Sequence, residues 1–157
     1  SSTLGAEATG TNSRNLQSST QVTVMMLYTK SARESLGVLS DSQMQTHLAE
    51  ALAGTNQGMA NSDINLEMPI VHVGPFPDNV ASSSSLDDLY TLPDAEDVGR
   101  LRDMYAADLV QVIGGPYIEG CGRGYLFTGD ASSGFSITGA NCITGFTHTH
   151  EFGHNFE

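Results

Sequence analysis

Residues 147–157 read THTHEFGHNFE, and inside them His150-Glu151-Phe152-Gly153-His154 has the form H-E-x-x-H. On a helix turning about 100° per residue, positions four apart stand about 40° apart, so both imidazoles can meet one zinc ion. Glu151 flanks them, where a carboxylate can hold an attacking water and take its proton. Two imidazoles beside a base therefore imply metal-assisted hydrolysis. Phe152 and Phe156, spaced i, i+4, project away from the histidines and are expected to bury together against a sheet. His148 falls on the phenylalanine side and stands outside the site. The competing reading is a helix that merely carries two surface histidines.

The rest of the chain supplies that sheet. VTVMMLY at 22–28 is apolar without alternation, which predicts a central strand covered on both faces. Ser40 followed by Gln43 has the form of a capping box, and Met44, Leu48, Ala51, Leu52, Thr55 and Met59 recur at helical spacing, predicting a helix over 41–60. LEMPIVHV at 66–73 reads as a strand that Pro69 pushes toward a sheet edge or a bulge, with His72 a packed strand histidine. Val98, Leu101, Arg102 and Tyr105 mark a short helix, and DLVQVI at 108–113 a third strand. Strands alternating with helices predict a largely parallel sheet. The glycine-rich stretch 114–145 offers short extended segments at GYLF (124–127) and FSIT (135–138), where an enzyme on a rigid sheet places its substrate-facing rim.

Composition narrows the partners. One domain is the default for 157 residues. Eighteen acidic residues against six basic ones give a formal charge of -12, which repels a phosphate backbone, so nucleic acid is excluded as a partner. The longest apolar run falls far short of the roughly 20 residues a spanning helix requires, so no membrane partner is expected. Residues 1–21 are small and polar and read as a flexible lead-in or propeptide remnant. Asp87, Asp88, Asp94, Glu96 and Asp97 lack the ligand spacing of a calcium loop and read as a solvated acidic surface. Cys121 and Cys142 fit a disulfide formed in an oxidising compartment, or two buried free thiols.

The motif H-E-F-G-H-N-F is similar to the zinc signature of metzincin endopeptidases, particularly the reprolysin-like (adamalysin-type) group and the bacterial peptidyl-Asp metalloendopeptidases. VTVMMLYTKSARE, NQGMANSDINLEMPIVHV, LRDMYAADLVQVI and the Cys121-Gly122 and Gly124-Tyr125-Leu126 segment leading to Cys142 resemble successive blocks of that family's catalytic domain, so the likeness covers 22–157. It implies a zincin-like α/β fold: a mixed, mostly parallel twisted sheet with an antiparallel edge strand, and two long helices, one of them the active-site helix. It implies that residues 22–157 are the upper subdomain of a secreted, monomeric zinc endopeptidase. His150 and His154 would be zinc ligands and Glu151 the general base. Gly124, Tyr125 and Leu126 would belong to the edge strand beside which an extended polypeptide substrate pairs, and a Cys121–Cys142 disulfide would staple the loop carrying that edge.

Two departures accompany the likeness. The family pattern continues H-x-x-G-x-x-H, whereas Glu157 stands where the glycine belongs and the third histidine would fall beyond it. With two protein ligands the segment by itself would hold zinc weakly. Glu157 as a replacement ligand, a distant Asp or Glu as third ligand, and a non-catalytic, protease-like interaction domain with an incomplete metal site are the alternatives.

Overall fold

The computed structural model describes residues 18–76, 96–116, 120–126, 128 and 130–156. The sequence readings at Asp87, Asp88, Asp94, Phe127 and Glu157, and most of the lead-in, lie outside the described residues.

In chain order the described elements are β1 (Thr20–Gln21), β2 (Val24–Tyr28), α1 (Lys30–Ser35), α2 (Asp41–Asn61), β3 (Leu66–Glu67), β4 (Ile70–Pro75), α3 (Glu96–Tyr105), β5 (Leu109–Gly114), β6 (Gly122–Gly124), β7 (Phe135–Gly139) and α4 (Thr147–His154). Five strands form one sheet in the order β4-β2-β5-β7-β6. The first four run parallel, and β6 pairs antiparallel to β7 at the edge. This is the mostly parallel α/β sheet that the residue pattern predicts, with the antiparallel edge that the family resemblance implies.

The unbroken apolar run of β2 has its physical reason in this order. All five of its residues are buried, with β4 and β5 on its flanks and helices over both faces. Alternate side chains divide between two cores. Val24, Met26 and Tyr28 pack with Met44, Leu48 and Leu52 of α2 and with Phe152 of α4. Met25 and Leu27 pack on the other face with Val110, Val112 and Ile137, under Val98 of α3. The result is a sheet sandwiched between helical layers, and fully burying Phe152 contributes about 1.5–3 kcal/mol to docking α4.

Local signals account for most boundaries. Ser40 caps α2 by accepting from Gln43 N–H at 3.2 Å, while the Gln43 side chain reaches back to Leu39 N–H at 2.9 Å, one residue beyond the usual box. Pro69 cannot donate a backbone hydrogen bond, and the predicted strand 66–73 divides around it into β3 and the edge strand β4, with a register shift opposite at Val24/Met25. His72 stacks on Tyr105, ring centroids 3.9 Å apart, and burial holds its pKa below the usual imidazole value. The periodicity reading passed over α1, a six-residue helix capped by Thr29, whose hydroxyl accepts from Ala32 N–H at 3.1 Å. Thr20 and Gln21, read as lead-in, pair in parallel with Leu66 and Glu67.

Three expectations need correction. Phe156 is not buried beside Phe152 but 42% exposed, because the helix gives way to a turn at Asn155 and the i, i+4 geometry no longer applies. Of the two long helices only α2 is long, at 21 residues; α4 has eight. The edge strand is centred two residues earlier than GYLF: Gly124 lies in it and Tyr125 N–H continues the pairing to Phe135 O at 3.2 Å, while Leu126 is 58% exposed beyond it.

Candidate functional site

The segment before α4 turns through Phe146, a non-glycine residue at φ 61° that leaves the helix without a side-chain cap. Its carbonyl accepts the first helical bond, from His150 N–H at 3.0 Å. A left-handed Phe costs about 1–2 kcal/mol, so surrounding contacts must hold the turn. They do so at both ends of α4. His148, almost fully buried, sets Nδ1 3.0 Å from Ile143 O and Nε2 2.9 Å from the Thr55 hydroxyl of α2 and 3.1 Å from Ala51 O, and burial holds its pKa below the usual imidazole value. Gln111 of β5 donates to His148 O at 3.3 Å. At the far end the Asn155 amide donates to the carbonyls of Tyr125, Ser133 and Phe135 at 2.8, 2.9 and 3.2 Å.

Held this way, α4 presents His150 and His154 on one side with their Nε2 atoms 3.1 Å apart and the rings at 83°. Two nitrogens bonded to one tetrahedral zinc at about 2.0–2.1 Å are separated by about 3.3 Å, so the pair fits a shared ion with a few tenths of an ångström of adjustment. Among the described residues no cluster of three His, Cys, Asp or Glu side chains converges, so the pair supplies two ligand positions.

Glu151 sits between this pair and the edge strand. Its side chain is buried, and burial raises its pKa above the usual carboxylate value against the opposing pull of His150, His154, the Gly124 N–H that bonds it and Arg123. The approach is close because two alternate positions of β6 have no side chain. A Cβ at Gly122 would stand 2.7 Å from Glu151 Oε1, and one at Gly124 would stand 2.5 Å from the Glu151 carbonyl oxygen and 3.3 Å from His154 Cβ. Positions i and i+2 share one face of a strand, so G-x-G provides a flat seat for the helix.

Helix and edge strand enclose an open cleft of about 770 Å³ whose walls include Gly122, Arg123, Gly124, Leu126, Phe146 and the two histidines. Cys121 and Cys142 are disulfide-bonded, joining the start of β6 to the turn before α4, and Gly139 N–H reinforces the join by donating to Cys121 O at 2.7 Å. The structure thus brings together His150, Glu151, His154, Gly124, Leu126 and Cys121 of the sequence-derived set around one cleft. Tyr125 packs instead against the opposite core.

Sequence reasoning missed Gln111, His148, Asn155 and Gly122 as the residues that position the site. Gln111 had a signal, being the one polar side chain inside an apolar strand. Asn155 had none, because its three acceptors come from chain positions 20 or more residues away.

A family model described as metallo-peptidase family M12B, reprolysin-like, matches residues 42–157. A peptidyl-Asp metalloendopeptidase of Pseudomonas aeruginosa is 29% identical over 155 residues, covering 85% of this chain and 24% of the relative. A solved structure described as a chaperone-substrate complex superposes with a TM-score of 0.70 at 19% identity, covering 88% of this chain and 24% of that one, which is a likeness of fold. The chain spans about a quarter of the length of each.

Proposed function

Because the chain belongs to the reprolysin-like M12B metallopeptidases, we propose that it carries the zinc-binding helix and substrate edge of a secreted endopeptidase that hydrolyses internal bonds of extended polypeptides. The observation that carries this reading is the pair of Nε2 atoms 3.1 Å apart beside a buried carboxylate. His150 and His154 would hold the ion from one helical face. Zinc, when bound, supplies the Lewis acid that polarises the peptide carbonyl and acidifies water.

Glu151 takes the proton of the attacking water and passes it to the leaving amine. Gly124 N–H fixes the carboxylate at the base of the cleft. Among the described residues the outer side of β6 has no strand partner in the sheet order, which leaves main-chain groups for an extended peptide to pair with. The Pseudomonas relative acts, by its name, at peptidyl-Asp bonds, which supports a substrate with an acidic residue beside the cleaved bond. The disulfide supports an oxidising, extracellular setting.

Metal analysis and peptide hydrolysis on the complete protein test the reading. We expect about one zinc per chain, and a Glu151→Gln variant that keeps the metal while losing roughly 10²–10⁴ in rate. Equal hydrolysis by variant and wild type, or a zinc-free protein that cleaves nothing, sinks the enzyme and favours the non-catalytic interaction domain.

A further inference from the structure

The two helices on one face of the sheet rest on different floors. Helix α2 packs Met44, Leu48 and Leu52 with Val24, Met26 and Tyr28 of β2, so its floor is apolar. Helix α4 lies over β6 and β7, and Phe152 is the one apolar side chain it buries, beside His148 and Glu151. Cross-strand partners share a face, and Gly122 and Gly124 face α4. Thr138 pairs with Gly122, Ser136 pairs with Gly124, and Ser136 pairs in turn with Gln111 of β5. The floor beneath α4 is therefore built of Gln111, Ser136, Thr138 and two glycines.

Gln111 is the residue of that floor that reaches the helix. Fully buried, its amide donates at 3.3 Å to the hydroxyls of Ser136 and Thr138 and to His148 O. Its Oε1 finds no hydrogen-bond partner among the described residues. Three long bonds and an unpaired oxygen make a poor exchange for the water that a glutamine leaves behind, and an apolar side chain of similar size would be buried there more favourably. The other side chains of β5 are apolar. A local choice that opposes folding in this way points to a use at the site.

The use follows from how each kind of contact acts. Apolar burial is non-directional, so a helix anchored by one phenylalanine can pivot about it. The bond to His148 O is directional and acts two residues before His150. The row through Ser136 ends at Gly124, whose N–H bonds Glu151.

We infer that Gln111 is a positioning residue that sets the rotation of α4 over its polar floor, and with it the aim of His150, Glu151 and His154, while lowering the stability of the fold. This rests on the endopeptidase reading above and adds to it an opposition between stability and activity at one residue.

The test compares wild type with Gln111→Met, close in length but unable to donate, in the complete protein. The variant should melt at or above the wild-type temperature. Its zinc affinity should nevertheless fall by roughly 10- to 100-fold, the range for groups that orient metal ligands, and kcat by a similar factor with KM within about twofold. Amide hydrogen exchange should quicken by roughly 10-fold in α4 and stay unchanged in α2. A second variant, Gln111→Met/Ser136→Ala/Thr138→Val, makes the floor apolar apart from the glycines; it should melt no lower than the single variant and regain no activity. A melting temperature that falls in step with zinc affinity and kcat in both variants would make Gln111 a merely structural residue and overturn the inference. So would a Gln111→Met protein with wild-type zinc affinity, kcat and exchange in α4. If the wild type neither holds zinc nor cleaves peptide, the endopeptidase reading falls, and exchange in α4 set against melting temperature still decides the role of Gln111.

Discussion

At the scale of single residues, the site depends as much on side chains that are missing as on those that are present. Glu151 approaches β6 only because Gly122 and Gly124 leave room, and the two positions differ in what a methyl group would strike. At Gly122 the obstacle is the Glu151 side chain from Cγ to Oε1, which can shift without the helix backbone. At Gly124 it is the Glu151 carbonyl oxygen, which cannot move without the helix. Gly124→Ala should therefore cost about 1–3 kcal/mol in urea unfolding, the range of overpacked sites. Gly122→Ala should cost less stability yet still reduce peptide hydrolysis, because it displaces the base. Equal stability for wild type and Gly124→Ala would refute this account of the helix seat. The H-E-x-x-H spacing was legible in the sequence, since a four-residue separation on a helix is a local property. The glycine seat was not, because its meaning depends on a helix arriving nearly thirty residues later.

Elements behave similarly. Helix α2 and strands β2, β5 and β7 were readable because each carries its own periodicity or an unbroken apolar run. Pro69 announced the irregular edge at β4 for the same reason. Strand β6 carries too little: three residues, two of them glycine, become a strand only by pairing with β7 and by being tied to the turn before α4. The Cys121–Cys142 disulfide makes that tie across a separation of 21 residues. A cross-link closing a loop of this length stabilises by about 3 kcal/mol in the chain-entropy account. The Cys121→Ser/Cys142→Ser variant should accordingly lose about that amount in denaturant unfolding. Because both walls of the cleft hang from the bridge, the variant should also lose hydrolytic activity under conditions where it remains folded. Full activity in the folded variant would show that hydrogen bonds such as Gly139 N–H to Cys121 O hold the walls unaided.

Over the whole molecule, helices on both faces bury the sheet, and α4 is clamped between α2, through His148 and Thr55, and the β6–β7 region, through Asn155. An ion held by His150 and His154 would bind the folded protein and not the unfolded chain, so it should stabilise the fold in proportion to its saturation. Chelation of the complete protein is expected to lower its melting temperature by about 2–4 °C for each kcal/mol of binding free energy withdrawn, and zinc should restore it. A His150→Ala/His154→Ala variant should melt at one temperature with or without chelator. If the wild type is equally indifferent, these histidines hold no ion that matters to the fold. The sequence alone determined the apolar strands, the long helix, the acidic character and the spacing of two imidazoles about a carboxylate, because these follow from local periodicity and composition. The glycine seat of α4 and its clamp by His148 and Asn155 emerge only in three dimensions, because those relations join residues far apart in the chain whose pairing no local pattern encodes.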